Sequence, residues 1–194
     1  VTLDSDEARE AFNFYVGLAQ DGFAGAASDV DAGWAGEAFG LGRAAMTIEG
    51  NWIIQALIDQ FPDIDWGAVQ LPAHPGGGEA TTTFTVCYGV AAGSDNQDAA
   101  WQLANFLTGE AGGQIEAEAG FGPMPPRTAL ADTWLAARGE IGQAFLDAAE
   151  VAHPWSFPVG FGDAMDTFNA GMQLAFAGQA TADDVIFETA AAAE

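Results

Sequence analysis

Apolar positions switch along the chain between helical and strand-like spacing, with glycine and proline marking the changes. From Asp4 to Gln20, Ala8, Phe12, Tyr15 and Ala19 recur three to four residues apart, and Phe14 and Leu18 broaden the stripe. That spacing predicts an amphipathic helix. Asp4 or Ser5 can cap it, Glu7 and Glu10 suit its positive end, and Gly22 to Gly25 ends it. The stretch Phe39 to Leu57 then organises the rest. Phe39-Gly40-Leu41-Gly42-Arg43 closes a short helix with glycines. Ala44 to Glu49 is a short apolar run of the kind that forms a buried strand, and Gly50-Asn51 is a turn. From Trp52 onward, Ile53, Ala56, Leu57 and Phe61 return to helical spacing. Trp52 is thus expected where a strand hands over to a helix, the crevice where open α/β sheets bind ligands.

Further along, Gly67 to Leu71 reads as a strand, and Thr81 to Ala92 is rich in β-prone Thr, Phe, Val and Tyr. Ser94 or Asp95 is expected to cap a helix through Leu107, with Ala99, Ala100, Leu103, Phe106 and Leu107 inward. A second helix covers about Glu110 to Ala119. Phe121 to Arg127 is a stiff, proline-rich turn and a candidate hinge. Thr133 to Ala152 is helical with a break at Gly139, and Asp163 to Phe176 carries Met165, Phe168, Met172 and Phe176 at core spacing. Thr181 caps the last helix, with Asp183 and Asp184 in its first turn.

The ordered motifs within this pattern resemble one family. Gly42-Arg43-Ala44-Ala45-Met46-Thr47-Ile48-Glu49-Gly50-Asn51-Trp52 is similar to the G-K-A-A-M-x-I-x-G-x-W core of family 1 extracellular solute-binding proteins, the maltose-binding-protein type that serves ABC sugar importers. Gly67 to Pro72, Tyr88 to Ala92 with Asn96 to Thr108, and Gly122 to Arg127 resemble further family segments in the same order. The resemblance implies an α/β, helix-rich type II periplasmic-binding-protein fold, of which this chain is the C-terminal portion. Residues 1–80 would belong to the C-terminal lobe, 81–122 would cross to the N-terminal lobe, and 123–194 would return. The implied function is capture of a mono- or oligosaccharide between two lobes, outside the cell or in the periplasm, and delivery to ABC permease subunits. The implied protein is not an enzyme and takes no cofactor. A signal peptide or lipid-attachment cysteine would lie in the N-terminal half.

A sugar ring has apolar CH faces and polar hydroxyl edges, so its site needs flat aromatics and fixed hydrogen-bonding groups. Trp34, in the loop Ala26 to Gly36, Trp52, and Trp155, in the aromatic loop His153 to Asp163, are candidates for stacking. In the family, the aromatic of the G-x-W turn stacks on the ligand, which singles out Trp52. Asn51, Glu49, Glu37, His153 and Asp163 are candidates for the hydroxyls; Arg127 either donates to ligand or pairs with a carboxylate.

Composition narrows the alternatives. The chain has 28 acidic residues against four arginines and no lysine, a net charge of −24. No basic patch can form, which excludes nucleic acid and disfavours anionic lipid surfaces. The acidity suits high salt, where repulsion is screened, or reflects an acid-rich host. No apolar run reaches the ~18 residues a membrane span needs. The carboxylates leave glycoside hydrolysis as a rival, since two of them can act as acid and nucleophile, and a non-catalytic acidic surface-layer module as another. Metal chemistry finds no foothold: Asp29 and Asp31 lack the rest of a calcium loop, and zinc would need a His/Cys cluster. Cys87, the only cysteine, sits among Phe84, Val86, Tyr88 and Val90 and is expected to be buried and inert.

Overall fold

The computed structural model describes residues 3–119 and 123–193. Phe121 and Gly122, the start of the expected hinge turn, lie outside the described residues. In chain order the elements are α1 (Asp6–Gln20), α2 (Ala35–Gly40), α3 (Ile53–Gln60), β1 (Thr81–Thr83), α4 (Gln97–Leu107), α5 (Glu110–Glu118), α6 (Ala131–Arg138), α7 (Glu140–Ala149), β2 (Ala152–Pro154), α8 (Gly162–Phe176) and α9 (Ala182–Ala192). Short 3-10 turns occupy Ala27–Val30 and Thr128–Leu130. Helix accounts for 53% of the described residues, so the helix-rich expectation holds.

The chain divides into two units, residues 1–31 with 156–194, and residues 32–155. The lobe crossings implied near Thr81 and Pro123 therefore fall inside the second unit. In the first unit α1, α8 and α9 pack around Val16, Met172, Ala175 and Val185, with Phe12, Phe168 and Phe176 against them. Local chemistry starts α1 and α9 where the sequence places them. Ser5 Oγ accepts the Ala8 N–H at 3.1 Å, and Thr181 forms a reciprocal capping box with Asp184. Arg9 and Asp183 form an ion pair that ties α1 to α9. Gln20 Nε2 donates to the Ala175 carbonyl at 3.0 Å, which ties α1 to α8.

In the second unit the fully buried indole of Trp134 packs with Ile54 and Ala117. Trp66, Met124, Leu135, Ile141, Phe145 and Leu146 surround it. The Arg138 guanidinium lies over the Trp134 ring, 5.5 Å from its centroid, and burial lowers its pKa. The predicted break between α6 and α7 is Gly139, at φ 67° and ψ −160°, a region essentially open to glycine alone. The N-terminal turn of α3 buries Ile53, Ile54 and Leu57, which anchors the turn before it.

The strands depart from expectation. Ala44 to Glu49 and Gly67 to Leu71 form no strand, and Met46, Ile48 and Val69 are largely exposed. Of Thr81 to Ala92 only Thr81–Thr83 is a strand, and Cys87 is exposed rather than buried. In α4 Leu103 and Phe106 point outward and Ala104 is the buried residue. The physical reason is common to all four stretches. A strand is defined by a hydrogen-bonding neighbour and an inward face by something to cover it. Among the described residues only β1 and β2 supply each other with such a neighbour. They pair in parallel, with Thr81 opposite Ala152, Thr82 opposite His153 and Thr83 opposite Pro154.

Candidate functional site

The parallel pair sets the site. Side chains alternate across a strand, so Thr82 shares one face of β1 with Phe84, and His153 shares one face of β2 with Trp155. The Trp155 N–H donates to the Thr83 carbonyl at 3.0 Å and carries the register past the end of both strands. Phe84 therefore stands opposite Trp155 just as Thr82 stands opposite His153, and all four are exposed. The rings of Phe84 and Trp155 have centroids 5.7 Å apart and tilt by 37°. Both follow the carboxyl ends of their strands, the position at which parallel sheets place ligands.

Trp52 completes a row. Its ring centroid lies 5.9 Å from that of Phe84, with the planes at 73°. Trp52, Phe84 and Trp155 retain 47%, 57% and 49% of their surface exposed, so each offers about half a side chain to solvent. Two features hold the Trp52 indole. Its Nε1–H donates to Glu49 Oε2 at 2.7 Å. Its ring also folds back over Gly50, where an added Cβ would lie 2.2 Å from Cζ3. Asn51 Oδ1 accepts the Met124 N–H at 3.2 Å, which pins the turn to the segment after Pro123. A backbone donor must meet the oxygen end of the amide, so the NH₂ end of Asn51 points away from Met124.

The remaining candidates are occupied differently. Trp34 precedes α2 and packs its ring onto Gly36 of its own helix, half-buried. Glu37 accepts the Gly33 N–H at 2.6 Å. Arg127 Nε–H donates to the Thr108 carbonyl at 2.8 Å. Asp163 lies in the other unit, in the first turn of α8, where its backbone carbonyl accepts from Thr167. The structure thus brings together Trp52, Trp155, His153, Asn51 and Glu49 within one unit. Phe84 and Thr82 join them, and neither was singled out by sequence. The alternation Thr82, Phe84, Val86 in a β-prone stretch was the available signal, but it does not say which partner strand would face it.

The first unit has an open apolar groove of ≈ 450 Å³ between α1 and α8, walled by Phe12, Tyr15, Phe168, Met172 and Phe176. Its ring pairs, Phe12 with Phe168 and Tyr15 with Phe176, meet edge-on at 5.5 Å, as core aromatics do. Among the described residues no group of three or more His, Cys, Asp or Glu could hold a metal ion. Among the described residues no helix is long and apolar enough to cross a membrane.

Residues 1–141 match the profile of the family of bacterial extracellular solute-binding proteins. No curated protein matches the chain.

Proposed function

We propose that this chain, which belongs to the family of bacterial extracellular solute-binding proteins, takes a mono- or oligosaccharide as its solute. The observation that carries the reading is the row Trp52–Phe84–Trp155, three half-exposed rings of which two lie just beyond the carboxyl ends of β1 and β2 and the third precedes α3. The rings suit the CH faces of a sugar. Thr82 and His153 on the same exposed face, with Asn51 and Glu49 beside Trp52, suit its hydroxyl edges.

The family gives the periplasmic-binding-protein fold and a place outside the cytoplasm. Within that frame we assign residues 1–80 and 123–194 to the C-terminal lobe and 81–122 to the crossing toward the other. Ligand that touches both lobes favours the closed state over the open one, and the closed state delivers the sugar to ABC permease subunits. The protein breaks no bond.

Tryptophan fluorescence of the full chain, titrated with a panel of sugars into the millimolar range at low and high salt, tests the reading. The expected result is a saturable change with at least one sugar, weakened about tenfold or more by Trp52→Ala, which is the loss of roughly 1.4 kcal/mol of contact. A chain that circular dichroism shows to be folded, yet that responds to no sugar, contradicts the assignment.

A further inference from the structure

We infer that Asn51 is a positioning residue of the solute site: through its side-chain oxygen it holds the Trp52 turn against the proline-rich residues 123–127, so that the turn is set before solute arrives. This rests on the reading above that places solute on Trp52. Residues 123–126 run Pro-Met-Pro-Pro, so Met124 carries their one backbone N–H. Asn51 Oδ1 accepts it at 3.2 Å, from 73 positions away in the sequence. The prolines lock φ on either side of Met124, which leaves this stretch little freedom to follow a moving turn. It is also held at two further points. The Met124 side chain packs on the core of Ile54, Ala117 and Trp134. Arg127 donates from Nε to the Thr108 carbonyl at 2.8 Å, between α4 and α5. Asn51 thus meets a stiff, anchored partner.

The turn is tied to the Trp52 ring on its other side. The carbonyls of Gly50 and Asn51 accept the N–H groups of Ile53 and Ile54 at 3.1 and 3.3 Å, so both residues belong to the start of α3. Glu49 accepts the indole Nε1–H at 2.7 Å, and the ring folds over Gly50. The Asn51–Met124 bond therefore lies between the ring that would meet solute and the stretch that anchors the turn. A turn fixed before binding costs less ordering when solute arrives, so more of the contact reaches the measured affinity. Linkage makes the effect reciprocal. Solute that prefers the held turn strengthens the Asn51–Met124 bond by the same factor by which that bond strengthens solute binding.

The test follows the Met124 amide of the full chain by nuclear magnetic resonance during exchange into deuterated water. It is run with and without the sugar that gives the largest fluorescence response in the panel above, and calorimetric titration gives that sugar's affinity. In the unmodified chain the sugar should slow Met124 exchange. Asn51→Ala should speed the exchange about tenfold, the scale of one hydrogen bond, abolish its response to sugar and weaken affinity by a similar factor. Asn51→Asp keeps an oxygen for the Met124 N–H but has no NH₂ group, and it should recover most of both losses. This rescue separates positioning through the oxygen from direct contact through the NH₂ group, and from a general loss of stability. Restored Met124 protection in Asn51→Asp with affinity as weak as in Asn51→Ala would mean that Asn51 acts by touching solute. That result, or unchanged affinity in Asn51→Ala, overturns the inference and leaves the carbohydrate reading standing. Absence of binding by every sugar overturns both.

Discussion

Phe84 and Trp155 face each other beyond the carboxyl ends of β1 and β2, with ring centroids 5.7 Å apart. Nothing local brings them there. Phe84 lies near the middle of the second unit and Trp155 at its end, and they meet because Thr81, Thr82 and Thr83 pair in register with Ala152, His153 and Pro154. Three residue pairs thus decide whether the chain has two separate aromatics or one ring pair in contact. Trp52 joins from a third direction, at the start of α3, and turns the pair into a row.

That placement makes Gly50 a sensitive position. A methyl group there would come within 2.2 Å of the Trp52 ring, far inside van der Waals contact. Gly50→Ala is expected to push the indole off its Glu49 hydrogen bond, shift the tryptophan emission, and weaken ligand binding about as much as Trp52→Ala. Comparison of the emission spectra and titrations of the two variants checks this. Normal emission and normal affinity in Gly50→Ala would show that the ring does not need its present seat.

How much of this was legible in the sequence follows from the range of each interaction. The helix starts at Ser5 and Thr181 and the break at Gly139 are set by residues three or four positions away, and all appear where expected. The strands at Ala44 to Glu49 and Gly67 to Leu71 were expected from apolar content, but a strand also needs a neighbour, and none of the described residues pairs with them. Cys87 and Phe106 were expected inward for the same reason and are exposed. In the candidate site, Trp52 and Trp155 stood out as aromatics among turn residues. Phe84 did not, because its role depends on a register with a distant strand.

Gly139 joins α6 to α7 at φ 67° and ψ −160°. Any residue with a Cβ is strained there, so Gly139→Ala is expected to destabilise the chain by about 1–3 kcal/mol. Urea unfolding monitored by circular dichroism measures it. A midpoint unchanged from the unmodified chain would contradict the assigned backbone strain.

The capping box of α9 predicts a response to acid. Hydrogen bonds from the Thr181 hydroxyl and backbone N–H hold the Asp184 pKa below its ordinary value. The folded-state pKa is therefore lower than the unfolded one. The stabilisation is fully present above the unfolded value of about 3.9 and is lost as pH falls through the folded value. Asp184→Asn should lose this acid-range dependence, and Thr181→Ala should reduce it while costing about 1 kcal/mol at neutral pH through the lost cap. Thermal melts across the acid range report both. Identical pH profiles for all three proteins would remove Asp184 from the account.

Charge predicts a response to salt. A net charge of −24, with Arg9–Asp183 as an ion pair between α1 and α9, leaves far more repulsion than attraction to screen. Raising ionic strength from about 0.1 M to about 1 M shortens the screening length from about 10 Å to about 3 Å. The melting temperature should rise over that range with sodium chloride. A fall would mean that attractive pairs dominate and that the acidic surface is no adaptation to salt.

The central claim is that sugar lies on Trp52 and Trp155, and it is tested most directly on the indoles themselves. The chain has six tryptophans, and their indole N–H groups give separate nuclear magnetic resonance signals that variants can assign. Addition of the best-binding sugar should shift the Trp52 and Trp155 signals saturably and with a single affinity. The signal of Trp134, fully buried in the core of the same unit, should stay in place. Saturable shifts confined to the other tryptophans, with Trp52 and Trp155 unmoved, would place the ligand elsewhere and contradict the account.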